Sequence, residues 1–406
     1  MDGEWKQVKL GTIARVKGGK RLPLGSRLQA LNNCHPYIRV VDISNGMIDH
    51  DSLLFVPDEV YPQISQYTVE SGDVIVSIVG TIGLVAQITS ELDGANLTEN
   101  AAKVCIDDPN VDSAYVMYYL KAPNGQHEIK KNTVGSTQLK LPLYGIQNIE
   151  VLLPELSVQR KIAHILSSID GKISLNRRVN DCLEEIARVI FKHWFIDFEF
   201  PNENGEPYKS SGGETINSPL GPIPKGWRIG RIEDVCEFSY GKALKADKRI
   251  QGRIPVYGSN GQIGWHNESL VSGPGIIVGR KGNPGLIHWS KEDFFPIDTT
   301  FYVVQRVGKS IMHFLYFALK HADLPRLSAD SAVPGLNRNI AYMQQLVIPT
   351  EQLLRDFENR ISIIFDLLQT NCWQNQSLSE LRDSLLPKLM SGEIRVPVSE
   401  KEVDQL

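Results

Sequence analysis

The strongest constraint on this chain is that it repeats itself. Trp5 and Trp227 open two similar stretches, WKQVKLGTIARVKGGK and WRIGRIEDVCEFSYGK. At a constant offset of 222, Leu10 falls on Ile232, Ile13 on Val235, Val16 on Phe238, and Gly19-Lys20 on Gly241-Lys242. Farther on, GDVIVSIVGTIG from Gly72 resembles PGIIVGRKGNPG from Pro274, each an apolar strand running into a glycine turn. A second block repeats at an offset of 195: Leu141 on Leu336, Leu152-Leu153-Pro154 on Val347-Ile348-Pro349, and Leu183 on Leu378. The offset falls because the middle of the second copy is shorter. This pattern predicts a tandem duplication of a globular unit followed by a helix.

The helical parts are ladders. After Pro154, positions Ile162, Leu166, Ile169, Ile173, Asn176, Asn180, Leu183, Ala187, Ile190 and Trp194 alternate steps of four and three. After Pro349 the same rhythm runs through Phe357, Ile361, Ile364, Leu368, Asn371, Asn375, Leu378, Arg382, Leu385 and Leu389. A sustained period of 3.5 predicts a left-handed coiled-coil seam. Pro387 is expected to break the second helix near its end. If the helices pair antiparallel with centres aligned, Asn176 and Asn180 meet Asn371 and Asn375 in a polar layer that penalises other registers. The alternative is that these four positions are merely the wet middle of a helix pair.

The expected boundaries are a first globular unit at 1–153, a helical region at 154–198, a linker at 199–226, a second unit at 227–348, a second helical region at 349–397, and a polar tail at 398–406. The stretch from Glu199 to Gly226 is rich in Pro, Gly, Ser and Asn and reads as an extended linker. A length of 406 residues with 42% apolar content provides material for two or three cores. Five scattered cysteines without a CxxC pair speak against a zinc module or a disulfide framework. The start, MDGEWKQVKLG, lacks the apolar stretch of a signal peptide, and the most apolar run, Val74 to Ile88, is too short and mixed to span a bilayer. A cytoplasmic protein with no membrane partner is expected.

Charge is distributed unevenly. Residues 1–153 carry 13 basic and 17 acidic side chains, whereas 227–348 carry 15 basic and 10 acidic. Even in the first unit Arg15, Lys17, Lys20, Arg21 and Arg27 cluster, with no acid from residue 5 through 41. The second has Lys242, Lys245, Lys248, Arg249 and Arg253 at the matching place. Both clusters are expected on loops, where Lys and Arg neutralise phosphates and reach base edges. Chance clustering on a solvated loop is the alternative.

Catalytic signatures are weak. Gly308-Lys309-Ser310 ends like a phosphate-binding loop, but Val303 stands where its first glycine is needed. Asn283-Pro284-Gly285 is not the Asn-Pro-Pro-aromatic motif of adenine methyltransferases. Asp107 with Glu128 and Lys130 is a loose imitation of a nuclease's metal site, with no second copy. No histidine pair or His–Cys set has ligand spacing.

A duplicated unit of this kind resembles the specificity subunit of type I restriction–modification systems. The resemblance is carried by LP at Leu153, QRKI at Gln159, HWFIDFEF at His193, PYKSSGGE at Pro207, GPIPKGW at Gly221, VPGLNR at Val333 and LLPKLMSGEIRV at Leu385. It implies two tandem target-recognition domains of mixed α/β (α+β) class, each followed by a long helix, the helices forming an antiparallel coiled coil. Each domain would read half of a bipartite double-stranded DNA site, an asymmetric one because the two units diverge. The helices would set the spacing and dock methyltransferase (modification) subunits, with a restriction/translocase subunit as a further partner. The chain itself would be non-catalytic and bind no cofactor or metal; S-adenosylmethionine, ATP and Mg2+ would belong to the partners. The DNA-contact candidates are Lys17, Lys20, Arg21, Arg27, Lys242, Lys245, Lys248 and Arg249, with Ser136, Thr137, Gln138, Asn337 and Arg338 from segments near each unit's last strand. A plain turn is the alternative for those segments. Trp5 and Trp227 are expected as core anchors, and Arg39 beside Asp42 as structural. A single-chain metal-dependent nuclease and a coiled-coil scaffold that does not touch DNA are the competing readings.

Overall fold

Each copy of the repeat builds its sheet around one strand that is buried along its whole length. A computed structural model describes residues 5–44, 46–306, 310–328 and 335–397. The tail 398–406, Gly308 and Lys309, and Val333-Pro334 lie outside them. The chain forms two units, Met1–Leu175 with Gln374–Leu406, and Asn176–Trp373.

In the first unit, β1 (Ala14–Gly18), β2 (Val74–Ser77), β3 (Val85–Gln87) and β4 (Ala101–Ile106) form an antiparallel sheet in the order β1-β4-β2-β3. All four residues of β2 are buried, as befits an unbroken apolar run packed on both faces. A second sheet places Pro36–Ile38 between Leu54–Phe55 (antiparallel) and Asn96–Leu97 (parallel). Lys6–Lys9 pairs with Glu150–Leu153, so the two ends of the domain close on each other. Helix α1 (Ser113–Lys121), capped by the Asp112 side chain on the Tyr115 N–H, covers the sheet. Helix α2 (Leu156–Phe195) begins two residues after Pro154 and runs for 40 residues, about 60 Å at 1.5 Å per residue.

The second unit repeats the plan. Strands β5 (Cys236–Tyr240), β6 (Gly275–Gly279), β7 (Ile287–Ser290) and β8 (Thr300–Gln305) lie antiparallel in the order β5-β8-β6-β7, with β6 entirely buried. Ile254–Gly258 sits between Gly261–His266 (antiparallel) and Phe295–Pro296 (parallel), and Arg228–Arg231 pairs with Gln345–Ile348. Helix α3 (Met312–His321) takes the place of α1, and α4 (Glu351–Met390) matches α2 in length at 40 residues. The duplication is thus a duplication of topology, in a mixed α/β fold with two long helices.

No rung of either ladder is exposed. Within the first unit, Ile162 and Leu166 of α2 share a core with Leu386, Leu389 and Met390 of α4. Within the second, Ala187, Phe191 and Trp194 pack with Phe357, Ile361 and Phe365, and the Phe195 and Phe357 rings are 4.8 Å apart. In both units early residues of one helix meet late residues of the other, so the pairing is antiparallel.

Three expectations need correction. The helix does not break at Pro387; α4 continues to Met390 because Leu386, Leu389 and Met390 are buried, and the missing N–H costs only one bond in the last turns. The segment 199–226 is not an extended linker. Phe200 stacks between Tyr208 at 4.5 Å and Trp227 at 5.2 Å, and Thr215–Ile216 pairs with Ile223–Pro224, so the segment folds back on its own unit. Trp227 is a buried anchor, but Trp5 is only half-buried, with a ring edge against Gly392.

Candidate nucleic-acid interface

Three separated segments converge in the first unit. Strand β2 runs through Ile78 and Val79 into a turn closed by the Gly83 N–H on the Ser77 carbonyl, 3.1 Å, and the Leu84 N–H on Ser77 Oγ, 2.8 Å. The Ile78 carbonyl accepts the Leu141 N–H at 3.0 Å, which docks the loop 134–140 beside that turn. Reciprocal bonds of 2.8 and 2.9 Å between Val134 and Lys140 pinch this loop. Gly135 has φ +107° and lies so close to the Gln138 carbonyl that a Cβ would sit 2.3 Å from it; glycine alone tolerates that geometry. Ser136, Thr137 and Gln138 are all exposed at the tip.

The third segment leaves β1 at Gly18-Gly19. A Cβ on Gly19 would stand 2.1 Å from the Thr98 carbonyl, and one on Gly18 would meet Leu143, just beyond the loop. Lys20 follows, its N–H on the Leu97 carbonyl at 2.8 Å and its own carbonyl accepting from the Tyr37 hydroxyl at 2.7 Å. Burial pushes the Tyr37 phenol up to about 12, so it stays a neutral donor there. The Lys20 ammonium and Arg27 are exposed. Arg21 is exposed too, but ion-paired with Glu99 at 2.6 Å. Burial pushes the Glu99 carboxyl up; Arg21, its own backbone N–H and Thr98 outweigh that and hold it below the usual range.

Among the described residues the second unit assembles matching parts. The Gly285 N–H closes its turn on the Gly279 carbonyl at 2.8 Å, and the Leu336 N–H reaches the Arg280 carbonyl at 2.9 Å. Lys281 bridges to Gly335. Gly241 approaches the Ile297 carbonyl as Gly19 approaches Thr98, and Lys242 follows it into solvent. Lys245 and Lys248 are exposed beside it.

Not every candidate has the setting expected of it. Lys17 is on the edge strand β1 rather than on a loop, although exposed, because the strand pairs as far as Gly18 opposite Ala102. Arg249 is half-buried and turned back, donating to the Ile263 carbonyl at 2.8 Å. Asn337 caps a short helix, Arg338–Tyr342, accepting from the Asn339 and Ile340 N–H groups, so its carbonyl oxygen is occupied. Arg338 is half-buried. Arg39 holds both oxygens of the buried Asp42 and the Ser52 carbonyl. Among the seam asparagines, Asn371 donates to Asn180 Oδ1 at 2.8 Å, while Asn176 is buried and Asn375 half-buried.

Residues outside the candidate set also reach this surface: Tyr240, Arg280, Lys281 and Asn283. Aligning the two glycine turns would have found the middle pair, since Arg280-Lys281 stands where the first copy has Ile78-Val79.

The nuclease-like carboxylates are engaged elsewhere. Asp107 accepts Arg15 through two bonds of 2.7 and 2.8 Å, and Glu128 accepts Lys131 and the Glu150 N–H. Among the described residues no group of three or more His, Cys, Asp or Glu side chains is placed to hold a metal, and no helix is long and apolar enough to cross a membrane.

The profile of the type I restriction modification DNA specificity domain matches residues 2–185 and again 224–352, most of the chain. The chain belongs to the type I restriction–modification DNA specificity family. Two relatives span it end to end. The type I restriction enzyme MjaIX specificity subunit of Methanocaldococcus jannaschii is 25% identical over 97% of this chain and 94% of its own length. The type I restriction enzyme HindI specificity subunit of Haemophilus influenzae is 22% identical over 96% of this chain and 100% of its own. In fold, the chain is similar to the crystal structure of a type I restriction–modification S subunit from M. genitalium, with TM-score 0.58, 18% identity and 96% coverage of each. As a specificity subunit the chain is non-catalytic, and the carboxylates around Asp107 and Glu128 belong to its ion pairs.

Proposed function

We propose that this chain chooses the DNA sequence on which a type I restriction–modification complex acts, each unit reading one half of a bipartite, asymmetric site. The observation that carries this reading is the recurrence, in both units, of a glycine turn, a backbone bond from that turn to the segment just before a short helix (Leu141 to Ile78, Leu336 to Arg280), and a lysine after a close-packed glycine. Two copies of one surface suit two half-sites at fixed helical spacing. The side chains on it diverge, as Gly18, Ile78 and Leu143 against Tyr240, Arg280 and Arg338 show, so the two half-sites would differ.

The helical regions would separate the domains and dock methyltransferase subunits. Beside the seam on α2, Val179, Cys182, Ile186 and Val189 are exposed at steps of three and four, a second apolar stripe roughly 100° round the helix. A restriction/translocase subunit completes the proposed complex, and S-adenosylmethionine, ATP and Mg2+ would be held by these partners. Lys17, Lys20, Arg27, Lys242, Lys245 and Lys248 are proposed phosphate contacts, and Ser136, Thr137 and Gln138 contacts to the DNA from the loop tip.

The direct test maps N6-methyladenine across the host genome with the gene intact and deleted, alongside a reconstituted complex with the methyltransferase. Loss of one bipartite motif is expected, and exchanging residues 1–150 should alter one half of it. A reconstituted complex that methylates without a bipartite motif overturns the reading.

A further inference from the structure

The two units share one surface but fill the same three positions on it with opposite chemistry. In the second unit Tyr240, at the end of β5, is half-exposed and has two arginines against it. The Arg280 guanidinium carbon lies 4.8 Å from the ring centroid and that of Arg338 5.2 Å. In the first unit the corresponding positions are Gly18, Ile78 and Leu143, aligned by the backbone bonds that tie Ile78 to Leu141 and Arg280 to Leu336. The turn therefore closes equally well without a charge. Nothing in the fold requires two guanidiniums at this place.

Their setting is that of a prepared recognition group. Arg280 has its own N–H on the Thr299 carbonyl at 2.9 Å and its NH1 on the Asp298 carbonyl at 3.2 Å, which fixes stem and plane. Arg338 reaches the Phe238 carbonyl through NH1 at 3.4 Å. Neither forms an ion pair with a carboxylate among the described residues, and in Arg280 the Nε and NH2 donors have no protein partner there; the Nε of Arg338 is buried, so Arg338 acts beside it mainly by packing on Tyr240. Arginine is a planar fork whose donors match guanine O6 and N7 together, and stacking on a ring removes much of the entropy lost on binding. The same fork also fits a phosphate, but the exposed Lys242 and Lys281 beside it are already placed to neutralise the backbone, and a loss confined to guanine at one position separates the two roles.

We infer that Arg280, braced on Tyr240 beside Arg338, is a specificity-determining residue of the second unit and reads a guanine edge in the major groove. The inference rests on the half-site reading proposed above. It is tested with the full chain reconstituted with its methyltransferase subunits, supplied with S-adenosylmethionine and a DNA library randomised at the target, and read by sequencing N6-methyladenine. Arg280→Ile installs the residue that the first unit carries there and is expected to fold, with an unchanged melting temperature. It should lower discrimination for guanine at one position of one half-site by roughly 10- to 100-fold, leaving the other half intact. The affected half should be the one that survives exchange of residues 1–150. Arg280→Lys should lose the same discrimination, because an ammonium cannot fork. An unchanged motif, a half-site without guanine, or an even loss across both halves with the guanine preference intact overturns the inference alone. A wild-type complex with no bipartite motif overturns the half-site reading along with it.

Discussion

Asp170 and Arg382 meet in a buried ion pair of 2.7 Å, where the equivalent positions of the second unit hold Phe365 and Ala187. The other oxygen of Asp170 accepts the Tyr118 hydroxyl at 2.8 Å, with Lys121 3.7 Å away. The second unit replaces that contact with Phe317 against Phe365, ring centroids 6.1 Å apart. One scaffold position is polar in one unit and aromatic in the other. The difference specifies which helix segments belong together, since a swapped arrangement would set a buried charge against phenyl rings.

Removing one partner of this pair should therefore be costly. Asp170→Ala leaves Arg382 buried without its carboxylate and is expected to destabilise the first unit by about 3–5 kcal/mol. Replacing the whole set with the second unit's residues (Asp170→Phe, Arg382→Ala, Tyr118→Phe) should recover most of that loss, because a packed apolar group carries no desolvation cost. Urea unfolding of the three proteins checks both statements. Equal midpoints for wild type and Asp170→Ala would contradict the first.

Glu99 restrains Arg21, a DNA-contact candidate from the sequence that the fold ties up in an ion pair. Its ion pair with Arg21 occupies a guanidinium that phosphate would otherwise take. In Glu99→Gln the complex should bind DNA more tightly, and the slope of log affinity against log salt should steepen by about 1. The pair also has a pH signature. The Glu99 carboxyl is held below its ordinary value, so its contribution to stability is present above that value and is lost as pH falls through the depressed one. Titrating DNA affinity at several salt concentrations decides the matter; an unchanged slope would show that Arg21 does not face the DNA.

The apolar stripe on α2 offers the third prediction. Ile186→Glu with Val189→Glu places two charges on a surface that the chain itself leaves open, so the melting temperature should hold within a few degrees. Co-purification with the methyltransferase subunits should fall at least tenfold, since burying an unpaired carboxylate costs more than 1.4 kcal/mol. Undiminished co-purification would remove this stripe from the docking surface.

Much of this architecture is legible in the order of residues. The offsets 222 and 195 announce the duplication, and the rungs from Ile162 to Trp194 and from Phe357 to Leu389 are all covered in the fold. The glycine turns after Val76 and Val278 are where the sequence places them. Less legible were Arg249 and Asn337, which look like free polar groups but are held by a strand carbonyl and a helix start. Composition alone made 199–226 look extended, whereas Phe200, Tyr208 and Trp227 stack together and close it.

Sequence alone determined the number of units, the seam of the long helices and the strands that are buried, because each is written as a local periodicity or a repeated phrase; where the second helix ends was decided by the burial of Leu386, Leu389 and Met390. Tertiary structure decided which side chains meet: Asp170 with Arg382, Tyr240 with Arg280 and Arg338, and the loop 134–140 with the turn after β2. Those meetings join residues up to some two hundred positions apart, and they depend on the direction in which a turn releases the chain. Periodicity sets which face of an element is covered, but only the packed structure sets what covers it.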